Sequence, residues 1–135
     1  MKFFTELAIG ASCLGLLTAC ASPAGQPRIV TVDEQKDNTT VELMVGDQLE
    51  ISLEGNLTTG YAWMVKQVDE TVLQSAGDPE YTQQGEALGS GGRYTFRLNA
   101  VAPGETQVVL VYRRSFEPED IPPVDQYHIT VEVKE

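Results

Sequence analysis

Apolar residues recur with period two along most of this chain. Val41, Leu43 and Val45 form one set, Leu49, Ile51 and Leu53 a second, Tyr94, Phe96 and Leu98 a third, and Ile129, Val131 and Val133 a fourth. A fifth run is denser, with Leu110 between Val109 and Val111. Such alternation predicts strands that bury one face and wet the other. Gly46-Asp47, Gly77-Asp78-Pro79 and Pro103-Gly104 break the runs at short intervals, as turns require. No window sustains a helical period. Strands with one apolar face must bury it against a second sheet, so the pattern predicts an all-β fold, an immunoglobulin-like antiparallel β-sandwich. Trp63 is expected in its core.

The first residues follow a different pattern. Lys2, an apolar run from Leu7 to Leu17 and small residues before Cys20 read as an export signal. A spanning helix would need about 20 apolar residues, and Glu6, Pro23, Gly25 and Pro27 crowd the run on both sides. Leu17-Thr18-Ala19-Cys20 resembles the bacterial lipobox, which implies cleavage before Cys20 and lipidation of its thiol. Residues 1–19 are thus expected to be a lipoprotein signal peptide, 20–36 a lipid-anchored tether and first segment, and 37–135 the sandwich domain. The expected location is the bacterial cell envelope, at the outer membrane or its periplasmic face. Cys13 would leave with the signal, so neither cysteine remains for a disulfide, a metal or a nucleophile.

Formal net charge is −11, and loss of Lys2 and Glu6 with the signal leaves it unchanged. Nucleic acid is excluded as a partner, because phosphate binding needs clustered Lys and Arg. The acidity itself implies solubility and mutual repulsion between copies, and the chain is expected to act as a monomer. His128, the single histidine, has no nucleophile to serve as a base. The acidic run Glu117-Pro118-Glu119-Asp120 lacks calcium-loop spacing. No enzyme activity, cofactor or metal is expected.

Three loops carry more chemistry than a turn requires. The first is Gly55-Asn56-Leu57-Thr58-Thr59-Gly60-Tyr61, two threonines set between glycines. The second is Gly85-Glu86-Ala87-Leu88-Gly89-Ser90-Gly91-Gly92, ahead of the strand Tyr94-Thr95-Phe96-Arg97-Leu98. The third runs from Tyr112-Arg113-Arg114-Ser115-Phe116 to Pro122-Pro123. Arg and aromatic side chains dominate interface hot spots, and long loops in compact domains are more often functional than idle. A structural or adhesive β-sandwich lipoprotein of the envelope would account for the strands and the anchor, but not for these loops as a set.

In order and spacing the three stretches resemble the loops of chagasin-type inhibitors of papain-like cysteine peptidases. Asn56, Thr58, Thr59, Gly60 and Tyr61 match the family's first motif, with Leu57 in place of its proline. Gly89, Gly91 and Gly92 match the second, with Ser90 among them. Arg114-Ser115-Phe116 stands where Arg-Pro-Trp is usual. The resemblance implies reversible inhibition, three adjacent loops entering the peptidase cleft without chemistry of their own. It implies peptidase contacts from Asn56 to Tyr61, from Gly89 to Gly92 through backbone pairing, and from Arg114 and Phe116 on the far side of the cleft.

Overall fold

A computed structural model describes residues 27–135. Among them are nine strands: β1 (Ile29–Val32), β2 (Thr40–Met44), β3 (Gln48–Gly55), β4 (Tyr61–Gln67), β5 (Leu73–Ser75), β6 (Glu80–Gln83), β7 (Gly92–Ala100), β8 (Gly104–Arg114) and β9 (Asp125–Lys134). One sheet has the order β1-β3-β7-β5, with β6 following β5 along the same side of β7; the other has the order β2-β9-β8-β4. The inward sets meet between the sheets. Leu49, Ile51 and Leu53 of β3 and Phe96 and Leu98 of β7 pack with Leu43, Trp63, Val108, Leu110, Ile129 and Val131 of the facing sheet. The described residues contain no cysteine, so this apolar layer holds the sandwich without a disulfide.

The sheets are antiparallel inside and parallel at one edge each: β1 pairs parallel with β3, and β2 parallel with β9. A single chain segment causes both. It starts in one sheet as β1, turns through a 3-10 helix at Glu34–Lys36, and continues in the other sheet as β2. Asn38, at φ 63, takes the left-handed conformation that asparagine tolerates better than most residues. Its N–H donates to His128 O. The sandwich therefore takes in residues ahead of position 37.

Two of the alternating sets depart from expectation. Val45 is exposed, because β2 stops at Met44 and the chain turns through Gly46 and Asp47. In the dense run, Val108 and Leu110 face the core, whereas Val109 and Val111 lie on the outer face and are buried as well. The long segment between β8 and β9 folds back over that face, leaving a half-open hollow of about 460 Å³ lined by Met64, Val111, Ile121 and Pro123, among others. Arg93 and Arg97, on the outer face of β7, are both paired. Arg93 bonds Glu34 and Ser52, and Arg97 bridges Glu50 and Glu80.

The turn after β2 depends on the Asp47 carboxylate, which is buried, accepts the Met44 N–H at 2.8 Å and pairs with the Arg28 guanidinium at 2.8 Å. Burial alone would push this carboxyl up, but the Met44 amide and the Arg28 charge hold it below the ordinary value of 3.8. A folded pKa below the unfolded one contributes stability that is complete above the unfolded value and disappears as pH falls through the folded one. Urea midpoints measured down a pH series should thus fall below about pH 4, and Asp47→Asn should flatten that part of the slope. An unchanged slope in the variant would show that Asp47 plays no part.

Candidate functional site

The three loops meet at one pole of the sandwich. β3 and β7 are in register to Gly55 opposite Gly92, and β4 and β8 to Tyr61 opposite Arg114, so all the chain ends that launch the loops are together. Past the core, the inward face of β4 and β8 continues as a column of rings. Trp63 is buried, with its indole N–H donating to Glu54 O at 2.8 Å. Tyr112 lies 5.1 Å from Trp63, Tyr61 5.5 Å from Tyr112, and the Arg114 guanidinium 4.4 Å above the Tyr61 ring. Phe116 stands at the outer end, its ring 6.0 Å from the same guanidinium.

The first loop is a closed turn. Asn56 caps a 3-10 helix over Leu57–Thr59, its Oδ1 accepting both the N–H of Thr58 at 3.0 Å and its hydroxyl at 2.6 Å. Thr59 donates its hydroxyl to Asn56 O at 2.7 Å. Both threonines therefore spend their hydroxyls on the turn itself. Gly60, at φ 85, ends it in a conformation that a Cβ would strain. Gly55, just before the turn, lets the rings close in. A Cβ there would lie 2.7 Å from Tyr94 Cε2 and 3.2 Å from Tyr112 Cε1.

Single contacts lock the loops to one another. The Asn56 side-chain amide donates to Gly89 O at 2.9 Å, joining the first loop to the second. Arg114 Nε donates to Thr59 O at 3.3 Å, joining the first to the third. From below, the Tyr112 hydroxyl accepts the Asn56 N–H at 2.9 Å, and the Tyr94 hydroxyl donates to Tyr61 O at 3.3 Å. Burial, with Tyr112 and Tyr81 alongside, pushes the Tyr94 hydroxyl above its usual pKa, so it remains a donor at neutral pH. Arg113, on the opposite face, donates to Glu117 O and Pro118 O and holds the third loop against the sheet.

Of the sequence-predicted residues, Asn56, Leu57, Thr58, Thr59, Gly60, Tyr61, Gly89, Ser90, Gly91, Arg114 and Phe116 come together here. Gly92 does not share the surface, since it lies buried under Thr82 and Tyr81 as the first residue of β7. Much of the Gly89–Gly92 backbone is engaged within the protein: Gly89 O by Asn56 and Gly91 O by the Gln84 N–H. Ser90 donates its hydroxyl to Ala87 O. The outward part of this loop is Glu86–Leu88 instead, and Leu88 is wholly exposed at 103%. Sequence reasoning did not single out Leu88, although a leucine between loop glycines is itself a signal. Cys20 lies outside the described residues.

The profile of the chagasin family peptidase inhibitor I42 matches residues 42–131. The chain belongs to this family. Its members are protease inhibitors and not enzymes. Amoebiasin-1 of Entamoeba histolytica is 35% identical over 92 residues, covering 66% of this chain and 86% of its own. Chagasin of Trypanosoma cruzi is 29% identical over 87 residues, covering 62% and 79%. Among solved structures, Amebosin superposes with a TM-score of 0.65 at 33% identity, covering 81% of this chain and all of the other. A cysteine protease inhibitor from Entamoeba histolytica shares the fold at TM-score 0.71 and 21% identity, covering 79% and 96%.

The cap is the joint on which this inhibitor's first two loops depend. Asn56→Ala removes three hydrogen bonds at once, and a lost cap of this type costs about 1 kcal/mol. Urea denaturation should show a loss of that order, and amide exchange at Thr58 should accelerate. An unchanged exchange rate would mean that the turn holds itself without its cap.

Proposed function

We propose that this chain reversibly inhibits papain-like cysteine peptidases by inserting the three loops side by side into the active-site cleft. The observation that carries this reading is the coupling of the loops at one pole, with Leu57, Leu88 and Phe116 exposed on them at 51%, 103% and 75%. Large apolar side chains presented on a prearranged surface are the anchors by which protein interfaces bind. A peptidase cleaves peptides that bind in extended form, as added strands do. The Asn56–Gly60 segment is a 3-10 turn closed by its own hydrogen bonds, so it would fill the cleft without offering a bond in attack geometry. Its ordering precedes binding, which reduces the entropy lost on association. A likeness in fold to PbICP-C, solved in complex with falcipain-2 at TM-score 0.53 and 23% identity over 85% of this chain and 96% of that one, is compatible with this reading.

The mature chain, on this reading, is held at the envelope through lipid on Cys20 and works as a monomer. Phospholipid partitioning of the mature chain and of its Cys20→Ser variant tests the anchor; equal partitioning would dismiss it.

Titration of papain with residues 27–135 against a fluorogenic substrate tests the inhibition. Leu88→Ala and Phe116→Ala should each raise the inhibition constant about tenfold, the size of a hot-spot side chain, with the urea midpoint unmoved. Wild-type-like inhibition by both variants would dismiss the cleft contacts proposed for them.

Leu57 makes a separate case. It occupies the first position of the 3-10 helix, its N–H makes only a long 3.4 Å contact with the Tyr81 hydroxyl, and Asn56 before it is extended at φ −133, ψ 103. Proline is compatible with each of these conditions. Leu57→Pro should raise stability by about 0.4–1 kcal/mol and, combined with Phe116→Trp, lower the inhibition constant. A larger constant in Leu57→Pro alone would show that the leucine side chain contributes more to binding than the stiffer turn does.

A further inference from the structure

The chain enters the sandwich at the pole opposite the loops. β1 starts with Ile29 opposite Gln48, whereas β3 reaches the loops only at Gly55. Arg28 is fixed there, its carbonyl accepting the Gln48 N–H and its guanidinium paired with Asp47. The turn after β2 and the turn after β7 share this pole. Gly46 N donates to Ala100 O, Val45 N to Lys134 O, and Val101 N to Val72 O. On these neighbouring segments Ile29, Met44, Val45 and Val101 are all exposed. The nearby cations are engaged, Arg28 with Asp47 and Lys134 with Glu42.

We propose that this second pole rests on the lipid surface that holds Cys20 and so directs the loops away from the membrane. The inference rests on the Cys20 anchorage put forward above and adds an orientation to it. Only residues 21–27 lie between Cys20 and Arg28, a reach of at most about 29 Å when fully extended. A tether that short keeps the pole at high effective concentration against the bilayer. Isolated aliphatic side chains of this kind insert shallowly at the boundary between headgroups and acyl chains. The loops then stand off by the length of β7, nine residues or about 30 Å.

The absence of cysteine from the described residues makes the test direct. The lipidated mature chain, carrying a fluorophore at Val101→Cys or at Glu86→Cys, is placed in phosphatidylcholine vesicles containing nitroxide lipids. Emission should be quenched from position 101 and not from position 86, and adding Met44→Ser and Val45→Ser should reduce the quenching at 101. Equal quenching at the two positions, or none at either, overturns the orientation. Protein recovered in the aqueous phase overturns the anchorage and this proposal with it. Papain inhibition, measured on the vesicles that carry the label at position 101, away from the loops, reports on the loops separately. Its loss with the quenching pattern intact dismisses the inhibitory reading and leaves the orientation standing.

Discussion

Tyr112 is the residue on which the loop pole depends. Its ring lies between Trp63, which the core and Glu54 O hold in place, and Tyr61, which opens β4. Its hydroxyl meets the backbone N–H of Asn56, the residue that caps the first loop. Stacked rings contribute about 0.5–1.5 kcal/mol per pair beyond their buried area. The larger effect is mechanical, because the column carries the rigidity of a packed interior out to Arg114 and Phe116. Small glycines at Gly55 and Gly92 are the counterpart, since any side chain there would drive the rings or Tyr81 out of place.

The strands were legible in the sequence because a half-buried strand must alternate, and β3, β7 and β9 do so without a break. Alternation reports which face is buried but not which strand lies alongside, so the parallel edges at β1 and β2 left no trace in it. β1 was hidden for a second reason: four residues next to a proline-rich stretch are too few to establish a period. Val109 and Val111 look like core residues in the sequence and are buried on the outer face, where Ile121 and Pro123 of the third loop lie over Val111.

The loops could be found by composition, yet composition could not separate tip from foot. Gly92 and Leu88 illustrate this. The glycine is required by close packing under Tyr81, and the leucine is the part that faces solvent. Thr58 and Thr59 suggest polar contacts with a partner, but the fold shows their hydroxyls closing the turn on Asn56. A hydroxyl's destination depends on what lies within about 3 Å, which spacing along the chain does not reveal.

The strand that changes sheets has a consequence for the order of assembly. β2 pairs with β9, so it stays without its ladder until the final strand has been made. Pairings between distant parts of a chain form slowly, since loop closure comes before the contacts that reward it. All three loops lie between those strands, the third immediately before β9. The inhibitor pole thus matures only with the complete chain, and a truncated translation product carries the loop sequences without the geometry that makes them useful.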